Sequence, residues 1–387
     1  MEGAAPVAVG PAAARPRAAT ATGHPFLRRT VTVVASLVLI AVVVGAFELA
    51  ARAGCGCELF SLELRSRVAG ETKQTQIPSP DGKPPLYRWI PNQELNGRPF
   101  TNNLGFVMEH DVAPTKPAGV HRLAAIGAST TQGLQLGNYP EDLQAMLSDQ
   151  DSANNWEVVN AGHQGYGLKD VIALTETAVL PLAPDVLVYY GEINDVAGYK
   201  WAAYYPNGKP RLIQTSLDTY ANLRKYSAFW TFTLLPIVGD NLPFTGAIEQ
   251  FDWPTLLAPW KDDLEHLLDD AAQRHIRVLL VTYAYAWEPG GTVTQAMRQY
   301  SQAGGWPAMA HPVEQFRDGI AEQNRIVRQL ASERGLFVAP VAEELNGKTE
   351  LYSDTVHMTA AGYQRMAEII ARTLLDPSQG AAIPRPR

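Results

Sequence analysis

Four short stretches hold residues whose types and spacing could do nucleophilic chemistry: Gly127-Ala128-Ser129-Thr130, Asn160-Ala161-Gly162, Gly191-Glu192-Ile193-Asn194-Asp195 and Asp354-Thr355-Val356-His357. A serine hydroxyl attacks an acyl carbonyl efficiently when a neighbouring imidazole takes its proton and a carboxylate orients that imidazole. Asp354 lies three residues before His357. One turn of chain can therefore bring the carboxylate to imidazole Nδ1 and leave Nε2 facing a serine. The oxygen that becomes negative during attack needs hydrogen-bond donors; backbone N–H groups beside Ser129 and the Asn194 side-chain amide are candidates, and Gly162 lets the backbone approach a ligand closely or take a positive φ. Such chemistry calls for no metal and no organic cofactor.

Taken singly, each set is ordinary. Serines after strands are commonly turn or helix-capping residues, Asn-Asp pairs make Asx-turns or caps, and a lone Asp and His are usually surface residues. What joins them is their order along a series of short apolar runs: RLAAIGAS, WEVVNAG, DVLVYYG, IRVLLVTYA and GLFVAPV. Each run is short, unalternating and rich in Val, Leu or Ile, as strands buried on both faces of a parallel sheet are. Helical candidates fall between the runs. Pro140 opens one with Leu143, Met146 and Leu147 on a face, Leu264, Leu267 and Leu268 mark a second, and Ile320, Ile326, Val327 and Leu330 a third. A last helix, TAAGYQRMAEIIARTLL, begins at Thr359 as N-cap. Alternating strands and helices predict an α/β fold, a three-layer α/β/α arrangement around a mostly parallel sheet. Ligands of open sheets of this kind bind at the carboxyl ends of the strands, where Ser129, Gly162 and Asn194 fall.

Ser129, Gly162, Asn194 and His357, with Asp354 three residues before the histidine, resemble the four blocks of the SGNH (GDSL-type) hydrolases over roughly residues 100 to 375. The approach TNNLGFVMEH followed by PAGVHRLAAIGAST is similar to bacterial members that carry an N-terminal membrane helix. The resemblance implies a flavodoxin-like fold and a serine esterase in which Ser129 is the nucleophile, His357 the base, Asp354 its orienting residue, and Ser129, Gly162 and Asn194 the oxyanion donors. Where many members read Gly-Asp-Ser, this chain has Ala128, a departure that weakens the motif more than the mechanism.

The elements that must carry these residues sit in a chain of 387 residues, 46% hydrophobic and 18% charged, which is ample for a large core. From Thr30 to Phe47 the chain holds no charge, enough for about 27 Å of helix. Arg15, Arg17, Arg28 and Arg29 precede it, which places the N-terminus in the cytoplasm and the body on the far side. The expected organisation is a disordered cytoplasmic tail at 1–28, a transmembrane helix at 29–52, a stalk and irregular segment at 53–99, the hydrolase domain at 100–375, and a disordered tail at 376–387. Ala51-Arg52-Ala53 also fits a signal cleavage site, the rival to an anchor. An aromatic and Pro-rich insertion at 196–258 reads either as a cap packed on the sheet edge or as a lid over the site. Cys55 and Cys57 are too close together to brace a core and lack histidines for a zinc site.

The net charge of −7 collects after the basic N-terminal stretch, so the body lacks the Lys/Arg surplus that nucleic acid requires. The expected substrate is a small-molecule or carbohydrate ester, acetyl or short-chain. Two other functions suit the same residues: an O-acyltransferase in which a sugar hydroxyl displaces water, and a non-catalytic binding or assembly protein.

Overall fold

The computed structural model describes residues 25–54, 59, 74–77, 86–95, 97–133, 137–191, 193–196, 251–286 and 313–376. The tails expected up to residue 24 and from 377, Cys55, Cys57, much of the stalk, and residues 197–250 of the insertion lie outside the described residues. Two compact units emerge, Met1–Ala50 and Ala51–Arg387. Helix α1, Pro25–Gly54, supplies the described residues of the first and continues into the start of the second. Within its span Arg29–Gly54 an 18-residue window has a mean hydropathy of 2.6, and side chains from Val31 to Phe47 are exposed. By length and composition this helix can cross a membrane.

In the second unit five strands form one parallel sheet: β5 (Val120–Gly127), β6 (Asn155–Gly162), β7 (Val186–Tyr190), β8 (Arg277–Val281) and β9 (Phe337–Ala339). Their order is β6-β5-β7-β8-β9, the doubly wound order in which the chain leaves the first strand in one direction and then crosses it in the other. Leu123 to Ile126 and Leu187 to Tyr190 are nearly inaccessible, as unalternating strands covered on both faces should be. Helices α3 (Tyr139–Gln150) and α9 (Ala360–Leu375) pack together. Helix α4 (Leu168–Leu174) packs with α6 (Ala258–Gln273), while α7 (Val313–Arg334) lies against α5 (Trp253–Leu256) and strands β8 and β9. Right-handed crossovers require this division into a layer on each face of the sheet. Helix starts follow local rules: Asn138 Oδ1 accepts from Glu141 N (3.0 Å) ahead of α3, and Thr359 Oγ1 accepts from Gly362 N (3.3 Å) ahead of α9.

Ahead of β5 lie two small antiparallel pairs, β1 (Gln74–Ile77) with β2 (Leu86–Trp89) and β3 (Glu94–Leu95) with β4 (Arg98–Pro99). The loop that follows replaces ladder bonds with asparagine side chains. Asn102 Oδ1 accepts from the N–H groups of Leu104 and Phe106, and Asn103 exchanges two bonds with Val112. Phe106, Met108 and Val112 thereby enter the main core, and Trp89 is buried as well.

Arg122, on β5 at the end of the sheet away from Ser129, is fully buried. Its Nη1 donates to Leu182 O (2.6 Å), Nη2 to Ala113 O (2.9 Å) and Nε to Glu157. Removing such a group strands its acceptors. Arg122→Met is expected to cost about 3 kcal/mol in denaturant unfolding followed by tryptophan fluorescence.

Candidate active site

Strand β5 delivers the chain to Ala128, where it turns into the single helical turn α2, Ser129–Gln132. The N–H groups of Thr131 (3.1 Å) and Gln132 (2.9 Å) both return to Ala128 O, which holds Ser129 at the carboxyl end of the sheet. From the other end of the sequence comes the loop between α8 (Val341–Leu345) and α9. Ala286, just after β8, ties this loop down by donating its N–H to Thr355 O (2.9 Å). A turn then closes between Ser353 N and His357 O (2.8 Å).

Within this turn Asp354 divides its two oxygens. Oδ1 accepts from the N–H groups of Val356 (2.8 Å) and His357 (2.7 Å), while Oδ2 lies 2.7 Å from His357 Nδ1. A carboxylate only accepts, so Nδ1 carries the hydrogen and Nε2 is left as an acceptor. His357 Nε2 lies 2.8 Å from Ser129 Oγ. The structure thus joins Ser129, His357 and Asp354 in one hydrogen-bonded line across 228 residues of sequence separation between serine and histidine. Asp354 is buried and His357 is 14% exposed at its side chain, so the acid sits behind the base and the base faces the serine.

The second block has a different internal arrangement from the one expected. Gly162 N–H donates to Asn160 Oδ1 (3.1 Å), and Asn160 Nδ2 donates in turn to Gln132 O (3.0 Å). Gly162 is glycine for packing: a Cβ there would stand 2.6 Å from Thr131 C and overlap the Gln132 backbone. Downstream, His163 N donates to Gly127 O, Gln164 N to Gln132 Oε1, Tyr166 N to His163 O, Gly167 N to Asp170 Oδ2 and Leu168 N to Asp195 Oδ2. Among the described residues of this loop, Gly165 alone presents an N–H with no acceptor. Its φ of +80° is a left-handed conformation suited to glycine. Gly162, named from the sequence as an oxyanion donor, therefore has its N–H engaged, and the open N–H of this block belongs to Gly165. The sequence did show three glycines here, Gly162, Gly165 and Gly167; only backbone geometry separates them.

Asn194 follows β7 in a helical turn of residues 193–196. Its Nδ2 donates to Tyr166 O (2.7 Å), which fixes the amide and uses one of its two N–H bonds. Two tyrosines pack together at the carboxyl ends of β7 and β8. Tyr190 stacks on Tyr283 with ring centroids 4.7 Å apart, and Tyr190 Oη accepts from Ala284 N (3.1 Å). Burial pushes the Tyr190 hydroxyl pKa up, so it stays protonated. Asn324 of α7 brackets Tyr283 by accepting from its N–H (2.6 Å) and donating to its carbonyl (2.9 Å). His163 is pushed down to about 4, chiefly by burial and further by Arg88, against a partial offset from the Gln164 carbonyl at Nδ1. It is a neutral imidazole at physiological pH.

A model of the GDSL-like lipase/acylhydrolase family matches residues 125–365. No curated protein matches the chain. Among solved structures, an acetylxylan esterase from Geobacillus stearothermophilus is similar at 16% identity and a TM-score of 0.40, covering 65% of this chain and 93% of its own. The acetyl xylan esterase AlAXEase is similar at 18% identity and a TM-score of 0.39, covering 64% of this chain and 97% of its own. An alpha/beta hydrolase from the metagenome of Lake Arreo, Spain, shares 18% identity at a TM-score of 0.39, over 69% of this chain and 98% of its own.

Proposed function

This chain belongs to the GDSL-like lipase/acylhydrolase family and is an ester-hydrolysing serine hydrolase, and from that premise we propose that Ser129, His357 and Asp354 are its catalytic triad, acting on acetyl or short-chain O-acyl esters, carbohydrate esters among them. The observation that carries this reading is the line from Ser129 Oγ through His357 to Asp354, with contacts of 2.8 and 2.7 Å.

His357 Nε2 takes the hydroxyl proton as Ser129 Oγ attacks the carbonyl carbon, and Asp354 stabilises the imidazolium that results. The Ser129 N–H, the Gly165 N–H and the second N–H of Asn194 Nδ2 receive the negative oxygen. Each such donor is worth about 10²- to 10³-fold in rate. His357 returns the proton to the leaving alkoxide, then activates the water that releases the acyl group. We propose further that α1 is a membrane anchor with the basic N-terminal stretch in the cytoplasm and the hydrolase domain outside it. Residues ahead of the family-matched region join the packed domain, since Trp89 is buried and donates to Gln132.

The test is turnover of an activated acetyl ester by the detergent-solubilised full chain, repeated with a carbohydrate acceptor present. Free acetate as the product with and without acceptor is the expected result. Acetyl transfer to the sugar in preference to water would replace the hydrolase with a transferase, and no turnover by the folded chain would leave a binding protein.

A further inference from the structure

Strand β2 lies before the family-matched region, yet it reaches the loop that carries Gly165. Trp89 stacks on His163 (centroids 5.2 Å, planes 21° apart), and His163 stacks on Tyr166 (4.3 Å, 22°). All three rings are buried. Polar bonds run beside the stack. Trp89 Nε1 donates to Gln132 Oε1 (3.1 Å), the same oxygen that accepts from Gln164 N (2.9 Å), and Tyr166 Oη donates to Tyr87 O (2.8 Å). Gly165 therefore stands between two residues that are both tied to β2, Gln164 through Gln132 and Tyr166 directly. His163 Nε2 has no hydrogen-bond partner among the described residues. Within the stack the imidazole presents its two faces to the neighbouring rings, while its Nδ1 lies 3.1 Å from Gln164 O.

We propose that Trp89 and the Tyr87 carbonyl are positioning elements for the oxyanion loop, so that the segment leading into the domain sets the rate of acyl transfer without touching substrate. This rests on the proposed triad reading. A glycine in a left-handed turn has little of its own to hold its N–H direction, and an oxyanion donor acts only if aimed beforehand. The stack and the two hydrogen bonds supply that constraint from one side, while Asn194 holds Tyr166 O from the other.

The experiment compares the full chain with Trp89→Leu, Trp89→Phe and Tyr166→Phe, with kcat normalised to fluorophosphonate-titrated sites so that misfolded protein does not count. Trp89→Leu is expected to lower kcat about 10- to 100-fold with KM within threefold. Trp89→Phe, which keeps a ring on His163, recovers at least part of that loss. Tyr166→Phe, which removes only the bond to Tyr87 O, lowers kcat several-fold and serves if Trp89→Leu does not fold. Amide exchange of peptides spanning residues 162–168 should be at least tenfold faster in Trp89→Leu. An unchanged kcat per site in the folded variants, or a loss confined to KM, overturns the proposal, as does unchanged exchange in that loop. Failure of the triad reading is separately visible: Ser129→Ala would then turn over ester as the wild type does, whatever the loop exchange shows.

Discussion

Replacing His357 with alanine is expected to lower kcat by about 10⁴- to 10⁶-fold with little change in KM. The imidazole meets Ser129 Oγ at 2.8 Å, so its loss leaves the hydroxyl to be deprotonated by water. The fold should tolerate the change. The turn around His357 is held by the Asp354 carboxylate and by main-chain groups, with Asp354 Oδ1 accepting from Val356 N and His357 N and Ser353 N donating to His357 O. None of these bonds uses the ring. A cost of about 1 kcal/mol in unfolding free energy is anticipated. Steady-state kinetics on an acetyl ester, alongside circular dichroism and thermal unfolding, read both quantities from one preparation. A variant that keeps its unfolding transition and more than a hundredth of wild-type kcat would deny His357 the role of base.

Asp354→Asn, nearly identical in shape, is expected to lower kcat by about 10³- to 10⁴-fold. The Asn Oδ1 can still accept from the N–H groups of Val356 and His357, so the turn survives and the amide NH₂ faces His357 Nδ1. An NH₂ there donates, which forces Nδ1 to accept and moves the ring hydrogen to Nε2. Nε2 then cannot receive the Ser129 proton. Because the defect is one of tautomer and charge, it should appear in kcat at unchanged KM. Imidazole nitrogen shifts in NMR of selectively labelled protein would show the hydrogen on Nε2; a hydrogen that stays on Nδ1 would contradict this account of the acid.

Much of the body was legible because burial on both faces writes itself directly into composition. Unalternating runs such as RLAAI and VLVYY became the central strands β5 and β7, and the leucine face around Leu264, Leu267 and Leu268 became the buried face of α6. Ser129, His357 and Asp354 could be singled out because proton transfer restricts the residue types, and the structure brings the three together. Gly162 illustrates what spacing does not carry. The destination of its N–H depends on the Asn160 side chain, and Asn160 is oriented in turn by Gln132 O. The role of Trp89 was equally hidden, since no periodic pattern marks it and its partner Gln132 lies 43 residues away in sequence. Asparagine-built loops such as 102–112 bury Phe106 and Met108 without any strand or helix signature to announce it.

The central claim is that Ser129 is an activated nucleophile, and covalent labelling tests it most directly. The full chain treated with a fluorophosphonate, digested and mapped by mass spectrometry should carry the adduct on Ser129, with labelling abolished in Ser129→Ala and strongly slowed in His357→Ala. A folded wild type that takes up no label, or a Ser129→Ala variant labelled as fast as the wild type, would contradict the account.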